Sequence, residues 1–189
     1  MLGFSSMSLV EITPQRHGVL LDLVYGGNNN FTGRPVYRRP TCYLHAAAEC
    51  LLESAAGLAA ARGLKLKIFD AFRPSEAQWI LWNHRPDPEF LADPRRGSPH
   101  SRGVAVDLTL TDLSGRELEM GTGFDAFTAF SHHGNLGVSA QAQSNRTLLL
   151  DLMSSAGWDF YQLEWWHYQL FDSRRYPVLG DSTLPEGMM

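Results

Sequence analysis

Apolar and polar residues alternate with the two-residue period of a half-buried strand in two places above all. In Leu64-Lys65-Leu66-Lys67-Ile68-Phe69-Asp70 the aliphatic side chains share one side and the lysines the other, and Ala71-Phe72-Arg73-Pro74 closes the run with a turn. In Gly103-Val104-Ala105-Val106-Asp107-Leu108-Thr109-Leu110 the valines and leucines form one face, leaving Ala105, Asp107 and Thr109 on the other. Residues 19–25 and the aromatic-rich residues 163–171 read as further strands. The first ends at the loop Gly26-Gly27-Asn28-Asn29-Asn30, while Asp112-Leu113-Ser114-Gly115 signals a turn into a short return strand. The 3.6-residue period appears from Thr41, a candidate N-cap, to Arg62, with Gly63 as terminator, and again from Ser139 to Gly157. Residues 75–82 suggest a short helix, and Pro86, Pro88, Pro94 and Pro99 keep the following stretch a loop.

These elements predict an α+β fold, a mainly antiparallel sheet with two long helices packed against it. The 189 residues suit one domain, with residues 1–18 and 172–189 as terminal segments. Hydrophobic residues make up 44% and charged ones 19%, enough for a core and too apolar for a disordered chain. Sixteen Lys and Arg against twenty Asp and Glu give a net charge of -4 with no basic block, which argues against nucleic acid or an anionic membrane as partner. Cys42 and Cys50 fall in one predicted helix, too far apart along its axis to bridge, consistent with a reducing compartment. Residues 1–18 contain no basic stretch followed by an apolar run, so the expected location is the cytoplasm, with the periplasm as the alternative.

Most of the seven histidines have no special company. His100 and His167 do. His100 lies on a loop seven residues before Asp107, a carboxylate projecting from a strand, and His167 closes Glu164-Trp165-Trp166-His167. Two imidazoles and a carboxylate form a three-ligand set for catalytic zinc, with Glu164 left over as general base. Parity tests this arrangement. Three residues apart on a regular strand, Glu164 and His167 would face opposite ways, so the reading requires Glu164 in a turn and only His167 in the strand proper. Spacing alone leaves a second reading open, with Asp107 and Glu164 as surface acids and His100 as an ordinary loop residue.

The paired pattern Ser98-x-His100-x-x-Gly103-x-Ala105-x-Asp107 and Glu164-x-x-His167 resembles the signature of the zinc D,D-peptidase family. Asp70-Ala71-Phe72-Arg73-Pro74, Met120-Gly121 with Phe124-Asp125, Ser131-His132-His133 and Glu164-Trp165-Trp166-His167-Tyr168 resemble its D-alanyl-D-alanine dipeptidase branch. The resemblance implies the zinc D,D-peptidase (hedgehog-like) fold and one zinc per chain on His100, Asp107 and His167. It implies Glu164 as base and Arg73 as the group that stabilises the tetrahedral intermediate. Ser98 and Asp125 would hold the dipeptide, Asp125 at its ammonium end. Phe72 stands where the family usually has Tyr, and Pro99 fills a variable position. The implied reaction is hydrolysis of D-alanyl-D-alanine. A peptidoglycan carboxypeptidase or endopeptidase is the related alternative, and a non-catalytic zinc module the remote one.

Overall fold

A computed structural model describes residues 8–189; the first seven residues of the expected N-terminal segment lie outside them. The elements run β1 (Leu9–Glu11), α1 (Pro14–His17), β2 (Leu20–Leu21), β3 (Tyr43–His45), α2 (Ala46–Ala60), β4 (Leu64–Asp70), α3 (Ser75–His84), β5 (Ala105–Asp112), α4 (Ala140–Ser155), β6 (Asp159–Phe160) and β7 (His167–Gln169). The fold is mixed α+β. A five-stranded sheet has the order β2-β4-β5-β7-β6, and β1 pairs with β3 in a separate ribbon. β2 runs parallel to β4, while the β4–β5, β5–β7 and β7–β6 pairs are antiparallel.

Val106, Leu108 and Leu110 of β5 join Leu66 and Ile68 of β4, Ala48 and Leu52 of α2, and Leu149 and Leu152 of α4 in one buried apolar core. Burying each such leucine contributes roughly 1.5–3 kcal/mol, so the helix-facing side of β4 and β5 anchors the sheet. Asp107 falls on the opposite side by strand alternation. A bulge in β4 brings a second acid to that side. Ile68 pairs with Leu108, yet Asp70 pairs with Asp107, so the extra residue, Phe69, turns Asp70 from the core side to the side of Asp107. Asp107 in turn pairs with His167 of β7, which places Asp70, Asp107 and His167 in one row across three strands.

Several expected elements are corrected. The helix expected from Thr41 starts at Ala46. Residues 43–45 are a strand instead, and the His45 side chain caps the helix by accepting from the Ala47 amide. Cys42 is therefore outside the helix; both cysteines are free, Cys42 buried and Cys50 exposed. Residues 19–25 hold only the two-residue β2 and a 3-10 turn at Val24–Gly26, in which Tyr25 is fully buried. The return strand after Gly115 is reduced to a single bridge between Thr111 and Glu117. The strand expected over residues 163–171 shrinks to His167–Gln169.

The C-terminal segment is no tail. Leu179, Leu184 and Met188 are buried with Tyr25, Tyr37, Phe72 and Leu81 in a second apolar cluster, and the Leu179 amide donates to the Ser101 carbonyl at 2.7 Å. Ser139 caps α4 as expected, accepting from the Ala142 amide, and Gly157 follows that helix in the left-handed region, φ 100°.

Candidate active site

A cleft of about 280 Å3 opens beside the row of acids and His167. Arg73, Ser98, His100, Asp107, Asp125, Glu164 and His167 all line it, so the structure gathers every residue singled out from the sequence. They arrive from five separate places: the turn after β4, the 3-10 turn at His100–Arg102 with Ser98 just before it, β5, the loop after Met120, and the entry to β7. The second reading, surface acids and a loop histidine, is excluded, because His100, Asp107, Glu164 and His167 are all buried.

His100 Nε2, His167 Nδ1 and the Asp107 carboxylate converge. The two nitrogens lie 3.1 Å apart, His167 Nδ1 is 3.0 Å from Asp107 Oδ1, and His100 Nε2 is 3.2 Å from Asp107 Oδ2. The other nitrogen of each ring meets an acceptor: His100 Nδ1–H donates to the Ala71 carbonyl at 2.7 Å, and His167 Nε2–H donates to Gln169 Oε1 at 3.1 Å. With the protons held there, both rings turn lone pairs toward one point beside an anion. Burial pushes the Asp107 carboxyl up, and only protons on the facing nitrogens of His100 and His167 pull it well below the usual carboxylate range, a place that a cation between the three groups would take over. Neutral imidazole nitrogens and an ionised carboxylate are what a divalent cation needs, and this donor set fits a metal ion.

Glu164 stands beside the set, its Oε2 3.9 Å from His167 Nδ1. Burial, then the charges of Asp107 and Asp125, raise its carboxyl well above the ordinary value against the pull of Arg73. Arg73 pairs with Asp70, three residues before it. The pair is buried: Arg73 Nε donates to Asp70 Oδ2 at 2.8 Å and Nη1 to Gln78 Oε1 at 2.8 Å, while Nη2 lies 3.6 Å from Asp107 Oδ2. Asp125 adopts a positive φ of 57°, a left-handed conformation uncommon outside glycine and best tolerated by Asp and Asn. Its Oδ2 accepts from Tyr25 Oη at 2.7 Å. Burial raises its carboxyl to about 7; Asp107 adds to this, and the Tyr25 hydrogen bond and Arg73 oppose it. Ser98 Oγ accepts from the His100 amide at 3.2 Å, which leaves its hydroxyl proton free to be donated.

The residue family model described as D-ala-D-ala dipeptidase matches residues 5–182. The chain belongs to the D-Ala-D-Ala dipeptidase family. The family is a metallopeptidase family, in keeping with the donor set. A D-alanyl-D-alanine dipeptidase of Escherichia coli K12 is 42% identical over 161 residues, covering 85% of this chain and 83% of the relative. One of Enterococcus faecium is 36% identical over 178 residues, 82% and 88% of the two chains, and one of Streptomyces coelicolor is 33% identical over 174 residues, 81% and 86%.

Sequence reasoning missed the residues that hold this dipeptidase site in place. Gln169 orients His167, Gln78 and Asp70 aim Arg73, and Tyr25 supports Asp125 while its ring lies 5.2 Å from the Arg73 guanidinium carbon. Only Gln169 carried a usable signal: two residues after His167 on a strand, it must share its face. His132 and His133 pack against Phe90 and Phe160 and are outside the ligand cluster. No helix among the described residues is long and apolar enough to cross a membrane.

Proposed function

We infer that this chain is a zinc-dependent dipeptidase that hydrolyses free D-alanyl-D-alanine to two D-alanines. One observation carries the reading: an inward-facing two-histidine, one-carboxylate set shares a small cleft with the buried acid Glu164, the fixed guanidinium of Arg73 and a further carboxylate, Asp125. The relatives' names supply the substrate, and the cleft volume, at the lower end of ligand pockets, suits a small one.

His100, Asp107 and His167 would hold the zinc, which would supply a Lewis acid and an activated water. Glu164, beside His167 at the ligand set, would take a proton from the attacking water and return it to the leaving amine. Arg73 donates to the oxygen on which negative charge develops; Asp70 and Gln78 hold the fork so that it needs no reorganisation. Asp125 meets the substrate ammonium, and Ser98 donates its hydroxyl proton to the dipeptide. The enzyme is assigned to the cytoplasm, and the free Cys42 and Cys50 suit a reducing compartment.

The test is an assay of purified protein on D-alanyl-D-alanine, its L,L counterpart and a stem pentapeptide, with and without a chelator. Chelator-sensitive hydrolysis of the free D,D-dipeptide is expected. Activity on the pentapeptide alone would move the reading to a carboxypeptidase, and no zinc-dependent hydrolysis would end it.

A further inference from the structure

Arg146 is a buried cation that touches no part of the cleft. It projects from α4, and among the described residues no acid pairs with it. Its partners are neutral oxygens instead: Nε donates to the Met120 carbonyl at 2.7 Å, Nη1 to the carbonyls of Phe130 and His132 at 2.8 and 3.2 Å, and Nη2 reaches Thr122 Oγ1 at 3.5 Å. A buried guanidinium needs compensation for lost water, and here three backbone carbonyls provide it. Those carbonyls lie at the two feet of the loop that carries Asp125. One fork therefore ties residue 120 to residues 130 and 132, with Asp125, in its left-handed conformation, between them.

The same guanidinium also leads to Glu164. Thr122 Oγ1 accepts from Trp165 Nε1 at 2.8 Å, and the Arg146 guanidinium carbon lies 5.8 Å from the centre of the Trp165 ring. The strapped loop then binds the turn that bears Glu164 along its backbone. The Trp165 amide donates to the Ser131 carbonyl at 3.0 Å, the His133 amide to the Gln162 carbonyl at 3.0 Å, and Gln162 Nε2 to the His133 carbonyl at 2.9 Å. These links between α4 and the two acids are hydrogen bonds of fixed direction, with the Trp165 ring contact beside them.

We propose that Arg146 is a positioning residue that fixes the distance between Asp125 and Glu164, and so couples capture of the substrate ammonium to placement of the base. The inference rests on the dipeptidase reading above. Lysine at 146 keeps the charge but cannot bridge both feet of the loop, because a point charge lacks the planar fork. Displacements of about 1 Å cost on the order of 100-fold in such sites.

The experiment compares the zinc-loaded wild-type enzyme with R146K and T122V on D-alanyl-D-alanine and on N-acetyl-D-alanyl-D-alanine. For R146K, one zinc per chain is expected to remain. KM for the free dipeptide should rise and kcat fall, each on the order of tenfold or more, and the preference for the free over the capped substrate should collapse. T122V removes the oxygen shared by Trp165 Nε1, Arg146 Nη2 and Ser131 Oγ, leaves the three carbonyl bonds of Arg146 in place, and should lower kcat with KM little changed. A structural role alone would lower the melting temperature and leave the free-to-capped preference intact, and that result in R146K overturns the proposal. If R146K does not fold, T122V decides: a kcat loss with retained KM supports the coupling, and wild-type kinetics overturn it. A wild-type enzyme without any preference for the free dipeptide would count against the dipeptidase reading rather than against Arg146.

Discussion

Glu164 and His167 are three residues apart, yet Glu164 Oε2 lies 3.9 Å from His167 Nδ1 on the same side of the sheet. A regular strand forbids this. Two tight turns permit it: the Glu164 amide donates to the Tyr161 carbonyl and the His167 amide to the Glu164 carbonyl, and β7 begins only at His167. The turns also separate the roles, because Asp107 approaches the same nitrogen at 3.0 Å whereas Glu164 stands back from it.

Glu164→Gln keeps the shape and loses the ability to accept a proton. We expect zinc to remain at one per chain and turnover to fall by roughly 10²–10⁴-fold. Near-normal turnover would assign the base to another group.

His100→Ala and His167→Ala each remove one of three converging ligands and should leave the purified protein without zinc, as read by elemental analysis. Gln169→Ala makes a finer point. It frees the His167 Nε2–H and should weaken zinc affinity by roughly 10–100-fold, measured by competition with a chelating dye. Stoichiometric, tightly held zinc in the histidine variants would remove both residues from the ligand set.

The ligand set was legible in the sequence because β5 alternates and because His100, Asp107 and Glu164-x-x-His167 form a patterned pair. Its supports were not. Alternation over residues 64–70 puts Asp70 with Leu66 and Ile68, in the core; only the bulge at Phe69 turns it to the side of Asp107, and a bulge leaves no mark in polarity. Tyr25 lay in a predicted strand, and nothing local says that its hydroxyl meets an acid 100 residues on. The helical period before Ala46 was spurious, since pairing with β1 converts residues 43–45 to strand. The C-terminal residues read as a tail because their three buried apolar side chains are isolated in sequence and gain their core from residues distant in the chain, Tyr25, Tyr37, Phe72 and Leu81 among them.

Arg73→Lys should retain zinc and lose a transition-state donor, at a cost on the order of 2.7–4 kcal/mol in turnover. The lysine ammonium cannot meet Asp70 and Gln78 while also facing the cleft. Asp70→Asn should cause a smaller loss of the same kind, since it loosens the fork without removing it. Unchanged steady-state kinetics in Arg73→Lys would reduce the residue to a structural ion pair.

The last prediction joins specificity to pH through Asp125. Its carboxyl, raised to about 7 chiefly by burial, must be ionised to pair with an ammonium. Below that value the protonated acid loses the pairing, so kcat/KM for the free dipeptide should fall as pH drops. Bound zinc offsets the charge of Asp107, one of the groups that raise Asp125, which places this limb at or below about 7 in the loaded enzyme. The substrate amine loses its proton near pH ~8, so the preference for free over N-acetylated dipeptide should be greatest between the two values. Any acid limb due to Glu164 appears with both substrates and cancels in the ratio. At the optimum, capping the amine leaves Asp125 without its partner, a loss that reaches roughly 2–5 kcal/mol for a fully desolvated pair. Asp125→Asn should flatten the pH dependence of the ratio and reduce its size, by slowing the free dipeptide more than the capped one. A ratio near one at every pH in the unmodified enzyme would refute the ammonium site and favour a carboxypeptidase acting on longer stems.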